Sequence, residues 1–260
     1  MPRRRSNRGH VLAAVLLLAL AGCKPAPTDE TGAAQSPQQT IGLMTSLPLY
    51  WPEGAELHEL AAGNTAPPWQ RQAIEGRYAI VPLDTLSPIP ALSPDAAEVD
   101  PLAGIARLAV IQPRGLSPAD NVALDAWVRR GGRLLLVLDP ALTGDYDAPL
   151  GDPRRPVDGA LIPPVVARWG LAISFDEGQE LAVTTTTLAG AQLPLVLAGR
   201  IAITDPRAAD CTRLAAGAAA SCRVGKGRVV VIADAALFEH RELAGEAGAR
   251  LREVLAAALD

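Results

Sequence analysis

Aromatic side chains make up only 3% of the 260 residues, and lysine is nearly absent: Lys24 and Lys226 stand against 22 arginines. We read the arginine bias as the codon usage of a GC-rich genome, not as chemistry. A formal charge of −4 leaves no basic excess to meet a phosphate backbone, which argues against nucleic acid as a partner. Three cysteines and three histidines are a thin supply for metal binding or nucleophilic catalysis. No period of 20 to 50 residues recurs, which argues against propellers and solenoids. The longest apolar run of the N-terminal region, residues 11–21, is about half the ~20 residues of a membrane-spanning helix. Against these shortages, 49% of the chain is hydrophobic and 20% charged, enough to pack one large core or two small ones.

Arg3, Arg4, Arg5 and Arg8 precede the apolar run, the layout of a secretory signal peptide over residues 1–22. The run closes on Leu20-Ala21-Gly22-Cys23, which resembles the bacterial lipoprotein signal, and the resemblance implies a diacylglycerol on the Cys23 thiol and an acylated amino group. A Cys followed by Lys-Pro-Ala-Pro-Thr does not look like one from a folded core. Multiple acyl chains anchor a protein stably on a membrane surface without spanning it. Lys24 stands where an Asp often signals inner-membrane retention, so the resemblance favours the periplasmic face of the outer membrane over the inner membrane. Residues 23–40 then comprise the lipidated Cys and a Pro-, Gln-, Ala- and Ser-rich tether, which reaches roughly 20 to 25 Å as a flexible coil.

Removal of residues 1–22 takes away four arginines and no acid, leaving 20 basic against 28 acidic residues, so charge does not attract the mature chain to anionic lipid. In an oxidising periplasm the remaining Cys211 and Cys222 are expected to close a disulfide. The alternative is a metal site, but only His58 and His240 remain after the leader, with no Cys-x-x-Cys or His-x-x-x-His spacing. No resident metal or cofactor is expected.

Residues 41–260 read as one α/β domain, with an elaboration at about 141–210 on the same sheet. Continuous apolar runs at 41–47, 78–83, 108–112, 134–138 and 229–233 suit strands of a mostly parallel sheet covered on both faces. After the third run, Ser117 is placed as a helix N-cap, Pro118 at the first helical position and Asp120 near the positive end of the helix dipole. That helix is expected to stop at Gly131-Gly132 and to pack Val122, Ala123, Ala126 and Trp127 on the sheet. A second helix is expected over 67–75, and a third near 161–169. A closing helix is expected to repeat Leu243, Ala247, Leu251, Leu255 and Leu259 every four residues. The glycines of Gly225-Lys226-Gly227 precede a strand, so they suit a hairpin turn and not a phosphate loop.

Val110-Ile111-Gln112-Pro113, Leu116-Ser117-Pro118, Leu124-Asp125-Ala126-Trp127-Val128, Gly131-Gly132-Arg133-Leu134-Leu135 and Asp139-Pro140 together resemble the periplasmic domain of GldG-type auxiliary proteins of ABC transporters. Trp169-Gly170-Leu171 and the run 227–234 extend the resemblance over roughly 41–238. It implies a flavodoxin-like, class I glutamine amidotransferase-like three-layer sandwich. It also implies work beside a transporter permease and ATPase, although gliding-type members carry a transmembrane anchor and this chain carries a lipid signal. Amidotransferases of this fold use a Cys at a strand-to-helix elbow activated by a His. Neither Cys211 nor Cys222 follows a buried strand in that way, and no Gly-x-Ser-x-Gly replaces it.

Ligands of open α/β sheets gather outside the carboxyl ends of the strands. The residues there are Tyr50, Trp51 and Glu53, then Asp84, then Gln112 and Arg114, then Asp139, then Asp234, with His240 beyond. Rings, an arginine and carboxylates suit a polar ligand such as a sugar or peptide. A plainer reading makes Asp139 a turn residue, Gln112 a strand terminus and Tyr50-Trp51 a lid. A divalent cation between Asp139 and Asp234 is a third reading. The leading expectation is a non-catalytic, lipid-anchored periplasmic accessory or binding component of an ABC-type transport system. The alternatives are a hydrolase or amidotransferase-like enzyme of the same fold, or a sugar- or peptide-binding lipoprotein unrelated to transport.

Overall fold

The computed structural model describes residues 38–260 except 56, 64, 92 and 94. The signal peptide, Cys23 and residues 24–37 of the tether lie outside the described residues. In chain order the elements are β1 (Gln39–Thr45), α1 (Leu57–Ala61), α2 (Trp69–Glu75), β2 (Tyr78–Pro82), β3 (Arg107–Ile111), α3 (Pro118–Arg130) and β4 (Arg133–Val137). They continue with α4 (Pro164–Arg168), β5 (Leu171–Ser174), β6 (Val183–Leu188), β7 (Ala191–Val196), β8 (Arg200–Ile203) and β9 (Asp210–Leu214). The last are β10 (Ala219–Val224), β11 (Gly227–Ile232), α5 (Ala236–Glu239) and α6 (Ala249–Leu259).

Seven strands form one mostly parallel sheet in the order β2-β1-β3-β4-β11-β10-β9. The first five run parallel, and β10 and β9 add an antiparallel edge. Both faces of the inner strands β3, β4 and β11 are buried, as their unbroken apolar runs require, whereas the edge strands β2 and β9 are largely exposed. Along β3, Ala109 and Ile111 pack with Ile74 and Leu251 on one side, whereas Leu108 and Val110 pack with Leu124 and Trp127 on the other. Helices α2 and α6 thus cover one face and α3 and α4 the opposite face. The chain winds to one side for β2 and to the other for β3, so its direction reverses between the ends of β1 and β3.

Helix α3 begins where local chemistry places it. The Ser117 side chain accepts from the Asp120 N–H, and the Asp120 carboxylate accepts from the Ser117 N–H, a reciprocal capping box. Asp120 Oδ1 also accepts from Thr85 Oγ1, Leu86 N and Ser87 N at 2.8, 2.8 and 2.9 Å. Burial opposes the charge, but the bonds from Ser117, Leu86, Thr85 and Ser87 outweigh it and hold this carboxyl far below its ordinary range.

Three expectations are corrected. Helix α3 buries Leu124, Trp127 and Val128, while Val122 is 71% exposed, because α3 turns its 124/127/128 stripe to the sheet. The closing helix begins at Ala249, not near Leu243: Gly245 and Gly248 take φ of 76° and 73° and Ala247 47°, which breaks the helical repeat. The elaboration does not extend the main sheet, since β5 pairs with β8 and β6 with β7 in two separate two-stranded ribbons, and of this region only β9 joins it. Cys211 and Cys222 face each other across β9 and β10 and form a disulfide. No helix among the described residues is long and apolar enough to cross a membrane.

Candidate functional site

A cleft of about 640 Å³ opens at the carboxyl ends of β1 and β2. The segment after β1 shapes it. Leu47 and Leu49 are buried, Pro48 and Pro52 restrict the backbone, and the alternation leaves Tyr50 half-buried and Trp51 49% exposed. Their rings meet edge to face, with centroids 5.4 Å apart. The Arg71 guanidinium lies 4.7 Å from the Tyr50 ring centre and 5.3 Å from that of Trp51, held by Glu75 at 2.7 Å. Glu53, Asp84 and Arg154 complete the polar lining. Glu53 Oε1 also accepts from the Ala148 N–H at 3.0 Å, tying the loop after β4 to the cleft rim.

The other strand-end residues have different positions. Gln112 is fully buried at φ 43°, with its side chain bound to the backbone of Asp139 and Val157. Arg114 is exposed beside the cleft's neighbour Asp152 and does not line the cleft. Asp139 and Asp234 do come together, but inside the protein, at 0% and 2% exposure. Asp139 accepts from the N–H groups of Ala141 and Ala235, and Asp234 from those of Ala236 and Val196, one donor to each of the four oxygens. Their geometry is that of turn-forming carboxylates. Among the described residues no cluster of three or more His, Cys, Asp or Glu side chains is arranged to hold a metal ion.

Burial pushes the Asp139 carboxyl up to about 7, and the nearby Glu239 adds to the rise against the two backbone donors. Burial and the charge of Asp139 push Asp234 up to about 8. Glu239 accepts from Gly144 N at 2.9 Å and from the Tyr146 hydroxyl at 2.6 Å, and also binds Thr143. Burial and Glu239 together keep the Tyr146 phenol protonated far above its usual range. His240 Nε2 lies 2.9 Å from Thr143 Oγ1. This acidic layer fixes the loop after β4 to α5. Sequence reasoning had no signal for Arg71, Tyr146 or Glu239, because the rings beside Arg71 lie 20 and 21 positions away and Glu239 meets Thr143, Gly144 and Tyr146 across 93 to 96 positions.

The cleft can stack a flat apolar face on Trp51 and donate or accept hydrogen bonds around it. Among the described residues its lining contains no Cys, His or Lys. Ser46, the buried hydroxyl there, is already engaged with the Gln112 carbonyl.

No protein-family model matches the chain, and no curated protein matches it. Solved structures similar to it include an exo-β-1,4-mannosidase from Opitutaceae bacterium strain TAV5, with 16% identity, a TM-score of 0.45, and coverage of 86% of this chain and 36% of that one. The mmIFT52 N-terminal domain is similar at 11% identity and a TM-score of 0.45, over 84% of this chain and 95% of that one. A β-galactosidase from Rahnella sp. R3 is similar at 12% identity and a TM-score of 0.42, over 76% and 29%. The chain therefore spans about a third of the length of the two glycosidases.

Proposed function

We propose that this chain is a non-catalytic, lipid-anchored periplasmic domain that serves an ABC-type envelope transport system as an accessory or binding component. The observation that carries the reading is the cleft at the ends of β1 and β2. There a half-exposed Trp51 stands beside Tyr50, Glu53 and Asp84 with no thiol, imidazole or amine among the described lining residues. Such a surface recognises by stacking and hydrogen bonding. We read the mostly parallel α/β sheet as flavodoxin-like and amidotransferase-like, a reading supported by the parallel order 2-1-3-4 continued by β11. Gln112 supports the non-catalytic reading. It is the strained residue of a strand-to-helix connection, the local shape on which a nucleophile elbow is built, and it carries an amide buried in hydrogen bonds. The disulfide fits an oxidising compartment, and Leu20-Ala21-Gly22-Cys23 supplies the anchor, with the outer membrane as the proposed destination.

Cross-linking in cells that produce the full lipidated chain, followed by its affinity purification, tests the proposal. A permease and an ATPase subunit are expected with the wild type and several-fold less with Trp51→Ala. Recovery of neither subunit, or of a saccharide or peptide alone, overturns the transport assignment.

A further inference from the structure

On the opposite face of the sheet from α6, a second groove of about 700 Å³ runs between α3 and α4. Asn121 Oδ1 accepts from the Val165 N–H at 3.2 Å, and Asp125 bonds Arg168 and Trp169, so the two helices lie side by side in the same direction. One end of the groove is apolar, built by Leu116, Pro118, Val122 and Pro164. Val122 leaves 71% of its surface in solvent there. At the other end stand Arg129 and Arg168.

The arginines are held in one particular way. Asp125, buried to 6% exposure, accepts from Arg129 Nε at 3.0 and 2.9 Å, from Arg168 Nε at 2.7 Å and from the buried Trp169 indole at 2.9 Å. Burial opposes the Asp125 charge, but bonds from Arg129, Trp169 and Arg168 outweigh it and lower its pKa, so it remains ionised. Each guanidinium is thus oriented through Nε alone. Its two terminal nitrogens bond to no described residue, although those are the donors that grip an anion in bidentate fashion. Two arginines and one aspartate leave a net charge of +1 at this end.

We propose that the α3–α4 groove binds a small monoanionic amphiphile, a carboxylate carried on an apolar chain. The carboxylate sits between the free guanidinium ends, and the chain covers Val122 and its apolar neighbours. A bare inorganic anion leaves the apolar walls unused, and a neutral apolar ligand leaves the oriented arginines unused. The groove is separate from the strand-end cleft, and the proposal stands or falls independently of the transport reading.

Calorimetric titration of the folded chain with octanoate, octanol and acetate tests it. Octanoate is expected to bind one to one, with octanol and acetate each at least about tenfold weaker. Arg168→Gln, at a side chain 66% exposed, is expected to weaken octanoate about tenfold with an unchanged far-ultraviolet spectrum, while loss of its bond to Asp125 lowers the thermal melt by a few degrees. Val122→Asp is expected to abolish octanoate binding through like charge at the apolar end. Absence of octanoate binding, equal binding of octanoate and octanol, or full affinity in Arg168→Gln overturns the proposal. Binding of an acidic peptide in place of octanoate overturns it as well.

Discussion

Gln112 binds both backbone polar groups of Asp139 with one side-chain amide. Its Oε1 accepts the Asp139 N–H at 2.8 Å, and its Nε2 donates to the Asp139 carbonyl at 3.0 Å and to Val157 O at 3.1 Å. One buried amide thus joins the end of β3 to the end of β4 and to the loop that borders the cleft.

Gln112→Ala removes these bonds and strands the buried Asp139 N–H. The expected loss is about 2–4 kcal/mol, read as a lower urea midpoint at unchanged slope. A loss below about 0.5 kcal/mol would show that water replaces the side chain.

Asp139 and Asp234 predict weaker folding at alkaline pH. In the folded chain they hold protons to about pH 7 and about pH 8, whereas their ordinary value is 3.8. Between those limits the folded state binds more protons than the unfolded one, so this stabilisation is complete below about pH 4 and is lost as pH rises through 7 to 8. Asp120 and Asp125, both lowered, act in the opposite sense and lose their contribution on acidification below about pH 4. Thermal melts should give the highest Tm near pH 4, a decline that begins above it, and a Tm several degrees lower at pH 9, with Asp234→Asn flattening the alkaline limb. A Tm that stays level from pH 6 to 9 would place both carboxyls near their ordinary range.

The Cys211–Cys222 bridge closes a short loop, with a sequence separation of 11. The chain-entropy account gives it roughly 3 kcal/mol. Cys211→Ala/Cys222→Ala should lower the unfolding free energy by that amount, read as a lower urea midpoint, while leaving the far-ultraviolet spectrum intact, because the β9–β10 ladder has its own backbone bonds. Labelling of two thiols in the untreated, denatured protein by iodoacetamide would show that the bridge does not form.

Gly227 opens β11 against the end of α3, where an added Cβ would stand 2.0 Å from the Val128 carbonyl oxygen and 2.5 Å from that of Gly132. Both neighbours are backbone and cannot swing away. Gly227→Ala should cost roughly 3 kcal/mol or more by chemical denaturation, whereas Gly63→Ala, with open space around its Cβ, should cost only the strain of its positive φ.

The sequence by itself determined the parts of the fold whose causes are local. Unbroken apolar runs locate β1, β2, β3, β4 and β11 to within about two residues, and the inner strands β3, β4 and β11, buried on both faces, carry a polar side chain only near their start. Ser117, Pro118 and Asp120 place the start of α3, since a cap acts within four residues. The spacing of Cys211 and Cys222 pointed to their pairing. Tertiary structure alone decided which strand-end side chains line the cleft. Tyr50, Trp51, Glu53 and Asp84 line the cleft, while Gln112, Asp139 and Asp234 turn inward to satisfy backbone groups brought from 27 to 96 positions away. It also decided that Val122 faces water and that Asp125 orients two arginines, one from α3 and one from α4. These outcomes depend on which helix face meets the sheet and which loops converge at its end, and no local pattern encodes contacts between segments so far apart along the chain.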